Sequence, residues 1–159
     1  MSFLTARLSW AIVFALVLTI LPLPPWLANI RPPWILLLVL FLQFFLADFF
    51  NIIILLILGL IVDILLSTVM GEHVFALTFI AWLVNTKAKR FCFFNISQQM
   101  LLIGFFCLLY QYLLSLLDLF LGYPIDYVHI IGSAFIGLLI WPWIVRFGAL
   151  YTRIEIMVK

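Results

Sequence analysis

Charge is scarce in this chain. Eight basic and six acidic side chains make up 9% of 159 residues, where soluble domains carry ~25%. So thin a set cannot clothe a water-facing globule, which leaves no room for a sizeable soluble domain. The net charge is only +2, and no basic run is long enough to suggest nucleic acid as a partner. Cysteine is nearly absent as well. Cys92 and Cys107 follow no metal or redox spacing and read as buried or idle thiols. No HExxH, P-loop, GxGxxG or GxSxG pattern occurs. His73 beside Glu72, and His129 by itself, do not amount to a metal site. No constellation here supports an enzyme, a cofactor or a metal.

Apolar residues are what the chain has in excess: 69% of the total, with a mean hydropathy of +1.38. The bilayer is its solvent. Runs broken by charge or by Pro and Gly predict six helices at 8–21, 34–47, 52–66, 74–85, 99–120 and 127–145. Pro22, Pro24 and Pro25 end the first, and Pro32 with Pro33 opens the second. Asp48 and Asn51 mark a turn, Gly71-Glu72-His73 another, and Gly122-Tyr123-Pro124 closes the fifth. The first run resembles a signal peptide, but no small-residue cleavage site follows it, so it reads as an uncleaved helix.

The expected fold class is therefore an all-α, polytopic integral membrane bundle of about six transmembrane helices. It forms one domain over residues 1–159, with 146–159 a short cytoplasmic tail that continues the sixth helix. Helices two to four are short for a span of ~20 residues, so four spans with a buried re-entrant 34–66 hairpin form the alternative. Six spans with both termini in the cytoplasm put Arg7, Lys87, Lys89, Arg90, Arg146, Arg153 and Lys159 inside and only Arg31 outside, as the positive-inside rule expects. Trp26, Trp34, Tyr123, Tyr127, Trp141 and Trp143 fall near predicted span ends, as in an aromatic belt. The Asn95-Ile96-Ser97 sequon follows an inside-facing loop and reads as accidental.

Asp63 stands out, because an acid inside an apolar run costs ~2.5–3.5 kcal/mol on an insertion scale. Gly59, Asp63 and Ser67 recur every four residues, with Asn51 at the start of the same stripe, and predict one helical face. Two readings follow: a carboxyl that locks helices together, or an ion, ligand or relay site. A second stripe runs through Gly104, Gln111, Ser115, Asp118 and Gly122. A third is His129, Ser133 and Gly137, the last two a small-residue packing face. The stripes predict either an interior seam or a polar cavity lined by Asp118, Asp126 and His129. Helices three, five and six are expected to pack on one another.

The order of these motifs resembles a known family. Arg31-Pro32-Pro33-Trp34 opens a helix, Gly59 and Asp63 sit in the next, Gly71 lies eight residues beyond the acid, and Trp141-Pro142-Trp143 closes the last span. This is similar to the rod shape-determining MreD family over nearly the whole chain. Ser67 departs from it, standing where related sequences often carry glycine, and so does the Glu72-His73 pair. The resemblance implies a non-enzymatic scaffold of the bacterial inner membrane that helps maintain rod shape during peptidoglycan synthesis. It implies MreC as the main partner, with MreB, RodA and a class B transpeptidase in a larger complex. It also implies an architecture similar to the substrate-binding subunits of vitamin transporters. Arg31, Trp34 and the tryptophans around Pro142 would then anchor depth. The rival reading is a small-solute or lipid-binding transport subunit with Asp63 or Asp118 at its site.

Overall fold

The computed structural model describes residues 2–21, 31–45, 51–85, 94–124 and 127–152. Trp26, Asp48, Lys87, Lys89, Arg90, Cys92, Asp126, Arg153 and Lys159, invoked above, lie outside them. The described residues form six α-helices and no strand: α1 (Ser2–Ile20), α2 (Trp34–Phe45), α3 (Ile52–Leu66), α4 (Glu72–Asn85), α5 (Ile96–Phe120) and α6 (Tyr127–Thr152). By length and composition, Ile96–Phe120 and Tyr127–Gly148 suffice to cross a bilayer; the other apolar helices are shorter.

Several boundaries differ from the sequence expectation, each for a local reason. α1 starts six residues early, because a helix does not need an apolar run to begin. α5 opens at Ile96, where Asn95 occupies the N-cap position and its backbone N–H donates to Gln98 Oε1 at 3.3 Å. The sequon asparagine is thus part of a helix start. α6 runs through Pro142 and past Arg146. The proline removes one backbone donor, and the helix continues through it. α3 matches its predicted span, with the Asn51 side chain accepting from Ile53 N at 3.1 Å.

α2 is the centre of the molecule. Nine of its residues are buried, from Ile35 to Phe44, and it packs against α1, α4 and α6. A helix apolar all round is suited to such a place. Around it, α5 pairs most extensively with α6, and α3 with α4. Gly104 meets Leu138, and Gly137 meets Cys107, so α5 and α6 are antiparallel. Gly137 also approaches Pro33, and Gly148 lies under the Phe41 ring, so α2 and α6 run in the same direction. α3 rests chiefly on α4 and not on α2. Nor do α3, α5 and α6 form the expected trio: α5 and α6 pack together, but α3 turns its acid towards the start of α4.

One other expectation, Trp141 in an aromatic belt at a span end, is corrected. Trp141 is completely buried, not at the lipid surface, and its indole N–H donates to Gln99 Oε1 at 3.4 Å. A buried indole needs such an acceptor, and Gln99 supplies it while its own amide nitrogen donates to the Phe94 carbonyl at 2.9 Å. Trp143, two residues on, is exposed. Ser133 and Gly137 are buried inside the bundle, with Gly137 facing α5 and Ser133 donating to the Ile130 carbonyl at 3.2 Å.

The α3–α4 pair depends on Gly59. A Cβ there would stand 2.7 Å from Val74 Cα and 2.9 Å from its backbone nitrogen, and a backbone cannot step aside as a side chain can. Gly59→Ala is expected to destabilise the protein by ~1–3 kcal/mol through overpacking. Gly104→Ala meets only the flexible Leu138 Cδ1 at 2.9 Å and should cost less. Thermal melts of both variants in detergent test this; equal midpoints would contradict it.

Candidate functional site

Asp63 lies in the last turn of α3 and is 1% exposed. Its main chain ends that helix. Thr68 N donates to the Asp63 carbonyl at 3.1 Å and Ser67 N to the Ile64 carbonyl at 3.3 Å, the paired bonds of a Schellman termination. The motif puts Ser67 at φ 54°, ψ 34°, a left-handed conformation that favours glycine. Ser67 therefore leaves the helix and is exposed, so the Gly59–Asp63–Ser67 stripe stops at the acid.

The side chain of the same residue starts the next helix. Gly71 occupies the N-cap position of α4 at φ +100° and has no side chain to cap with. Asp63 supplies the missing acceptor: Gly71 N donates to Oδ2 at 2.7 Å and His73 N to Oδ1 at 2.9 Å. Accepting from the second residue of a helix is what a local cap does, here carried out from eight to ten residues upstream. The His73 ring reinforces it, Nδ1 donating to Oδ1 at 2.9 Å, and the Thr68 hydroxyl donates to the same oxygen at 3.3 Å. This cap is why α4 begins at Glu72 and not at the first apolar residue.

His73 then carries the arrangement into the bundle. Its ring lies edge-on to Tyr110 of α5, with centroids 6.2 Å apart at 67°. Beyond it is a cavity of ≈130 Å³ at the end of the bundle where all six helices contribute wall. Its polar atoms come from Thr19, Arg31, His73, Tyr110, Gln111 and His129; the remaining wall is aliphatic apart from two prolines and Trp34. Of the expected residues, the structure brings Arg31, Trp34, Gln111 and His129 together here. Ser115 and Asp118 are half-buried further along α5, and Gly122 sits exposed in the following turn at φ +88°. Asp118 does not line the cavity. No group of three or more His, Cys, Asp or Glu suited to a metal occurs among the described residues.

His73, Thr68 and Tyr110 were not singled out as partners of Asp63 by the sequence reading. The signal available was the turn itself: an acid near a helix end, a glycine eight residues on, and a polar pair opening the next apolar run.

The geometry ranks substitutions at Asp63. Asn keeps one acceptor but turns an NH₂ towards a backbone donor, whereas Leu leaves both N–H groups and the imidazole unsatisfied. An unsatisfied buried group costs ~1–3 kcal/mol, so Asp63→Leu should lower the melting temperature most and Asp63→Asn by an intermediate amount. A Leu variant as stable as the parent would refute the capping role.

A family model described as rod shape-determining protein MreD matches residues 1–150. No solved structure matches the chain, so the likeness to vitamin-transporter subunits gains no support. The match covers every helix described above, from α1 almost to the end of α6, and it includes the Asp63 cap and the cavity. This chain belongs to the MreD family of bacterial rod shape-determining membrane proteins.

Proposed function

We propose that the protein is a non-enzymatic scaffold of the bacterial cell-elongation machinery. In this reading it sits in the inner membrane and holds partner transmembrane segments during peptidoglycan synthesis. MreC is its main partner, with MreB, RodA and a class B transpeptidase in the larger complex. Family membership over residues 1–150 is the observation that carries the reading. The surface is consistent with it: Ile53, Ile57 and Ile64 of α3, and Phe75 and Trp82 of α4, point outward, offering apolar faces to lipid or to another helix. Contact inside a bilayer depends on fit and not on hydrophobic transfer.

The whole chain forms one transmembrane domain crossing six times, with both termini and the 86–93 segment cytoplasmic and 146–159 a short tail. The shared direction of α2 and α6 is what an alternating six-span path requires. Arg31, Trp34 and Trp143 set depth in the membrane. Asp63, Gln111, Ser115, Asp118, Ser133 and Gly137 hold the interior together, so the partner-binding face is built from other residues.

Depletion in a rod-shaped host is expected to give rounded, widening cells, and the tagged protein should bring down MreC. Normal rods after full depletion, together with impaired uptake of one nutrient, would overturn the scaffold reading in favour of a transport subunit.

A further inference from the structure

α3 and α4 leave a groove between them, towards the end of the pair opposite the Asp63 cap. Leu55 and Ala81 form its floor, 2% and 4% exposed, and Ile52, Phe75, Phe79 and Trp82 form its exposed rim. The rim rings make a row. Phe75 and Phe79 stack with centroids 6.3 Å apart at 24°, and Phe79 meets Trp82 at 6.2 Å. The groove has a volume of ≈470 Å³, against ≈130 Å³ for the cavity behind His73, and it ends at Asn85. None of its described lining residues is charged.

Length and charge decide what fits. From Phe75 to Asn85, α4 rises roughly 15 Å at ~1.5 Å per residue, about half of the ~30 Å hydrocarbon core. That is the depth of one leaflet, which an acyl chain spans and a transmembrane helix exceeds. Beyond Asn85 the sequence turns basic. Lys87, Lys89 and Arg90 follow it within five residues, and Asp48 is the one acid in the two segments that adjoin this end, 46–50 and 86–93. With this end towards the cytoplasm, as proposed above, the groove ends where anionic headgroups meet juxtamembrane lysine and arginine. A neutral lipid fits the groove equally well but gains nothing from the basic run.

We propose that the α3–α4 groove holds one acyl chain of an anionic phospholipid from the cytoplasmic leaflet, whose phosphate is matched by the basic residues that follow α4. The choice of leaflet rests on the six-span topology proposed above. Binding in detergent depends on neither orientation nor partner, so this site and the scaffold reading can fail separately.

The test uses the full-length protein, delipidated in an uncharged detergent. Native mass spectrometry follows dioleoylphosphatidylglycerol against dioleoylphosphatidylcholine, which has the same chains and no net charge. The parent should hold about one equivalent of the anionic lipid, at least about tenfold more tightly than the zwitterionic one. Ile52→Trp, at an exposed rim position, should fill the groove and weaken both lipids about tenfold at an unchanged melting temperature. Replacing Lys87, Lys89 and Arg90 together by Gln should make the two lipids equal while chain binding remains. Equal affinity of the parent for the two lipids overturns the proposal, as does unchanged binding in a folded Ile52→Trp. Two further results overturn it by naming another occupant. A parent dimer that Ile52→Trp dissociates would assign the groove to a second copy of this chain. Loss of MreC capture in Ile52→Trp, with lipid binding intact, would assign it to a partner helix.

Discussion

The Asp63 carboxyl joins two helices that would otherwise end in unpaired backbone groups. Its carbonyl accepts the bond that terminates α3, and its two side-chain oxygens accept the backbone donors that open α4. Helix termini leave four donors or acceptors without intrahelical partners, and in an apolar surrounding there is no water to take them up. One buried acid therefore offsets a cost that any other apolar-run residue would leave standing. The rest of the interior is referred to this junction. It fixes where α4 begins, which places Val74 against Gly59 and the His73 ring against Tyr110, and the ring forms part of the cavity wall.

How much of this was legible in the sequence depends on the kind of signal. Apolar runs gave all six helices, and α3 to the residue, because the turns at Asp48 to Asn51 and at Gly71-Glu72-His73 bracket its run with polar chemistry. Burial was not legible. α2 is as apolar as a lipid-facing span, and periodicity cannot tell a helix surrounded by protein from one surrounded by hydrocarbon. Trp141 and Trp143 look alike on paper, yet one is enclosed and bonded to Gln99 while the other is exposed. The stripe through Gly59, Asp63 and Ser67 failed at its last member, because a four-residue repeat presumes that the helix continues. Ser67 lies in the left-handed turn that stops it. Of the cavity, Arg31, Gln111 and His129 were marked as polar residues in an apolar chain. Their convergence required the tertiary path.

The interior and the surface thus divide the work. Polar groups are concentrated in the α3–α4 junction, the cavity and the Gln99–Trp141 bridge, while α3 and α4 turn isoleucines and aromatic rings outward. A shape-determining membrane protein with this distribution has a hydrogen-bonded inside and an apolar outside, and the scaffold reading assigns the first to keeping the second in register. Small-residue positions serve the inside: Gly59 admits the α4 backbone and Gly137 admits Cys107.

The Asp63 side chain caps α4, and amide hydrogen exchange reads that cap at the atoms concerned. In the parent, the Gly71 and His73 backbone amides should exchange far more slowly than the neighbouring turn amide of Met70, which has no such acceptor among the described residues. In Asp63→Leu their protection should fall towards the Met70 rate, while α5 and α6 keep theirs. Rapid exchange at Gly71 and His73 in the parent, or protection that survives removal of the carboxyl, would contradict the account.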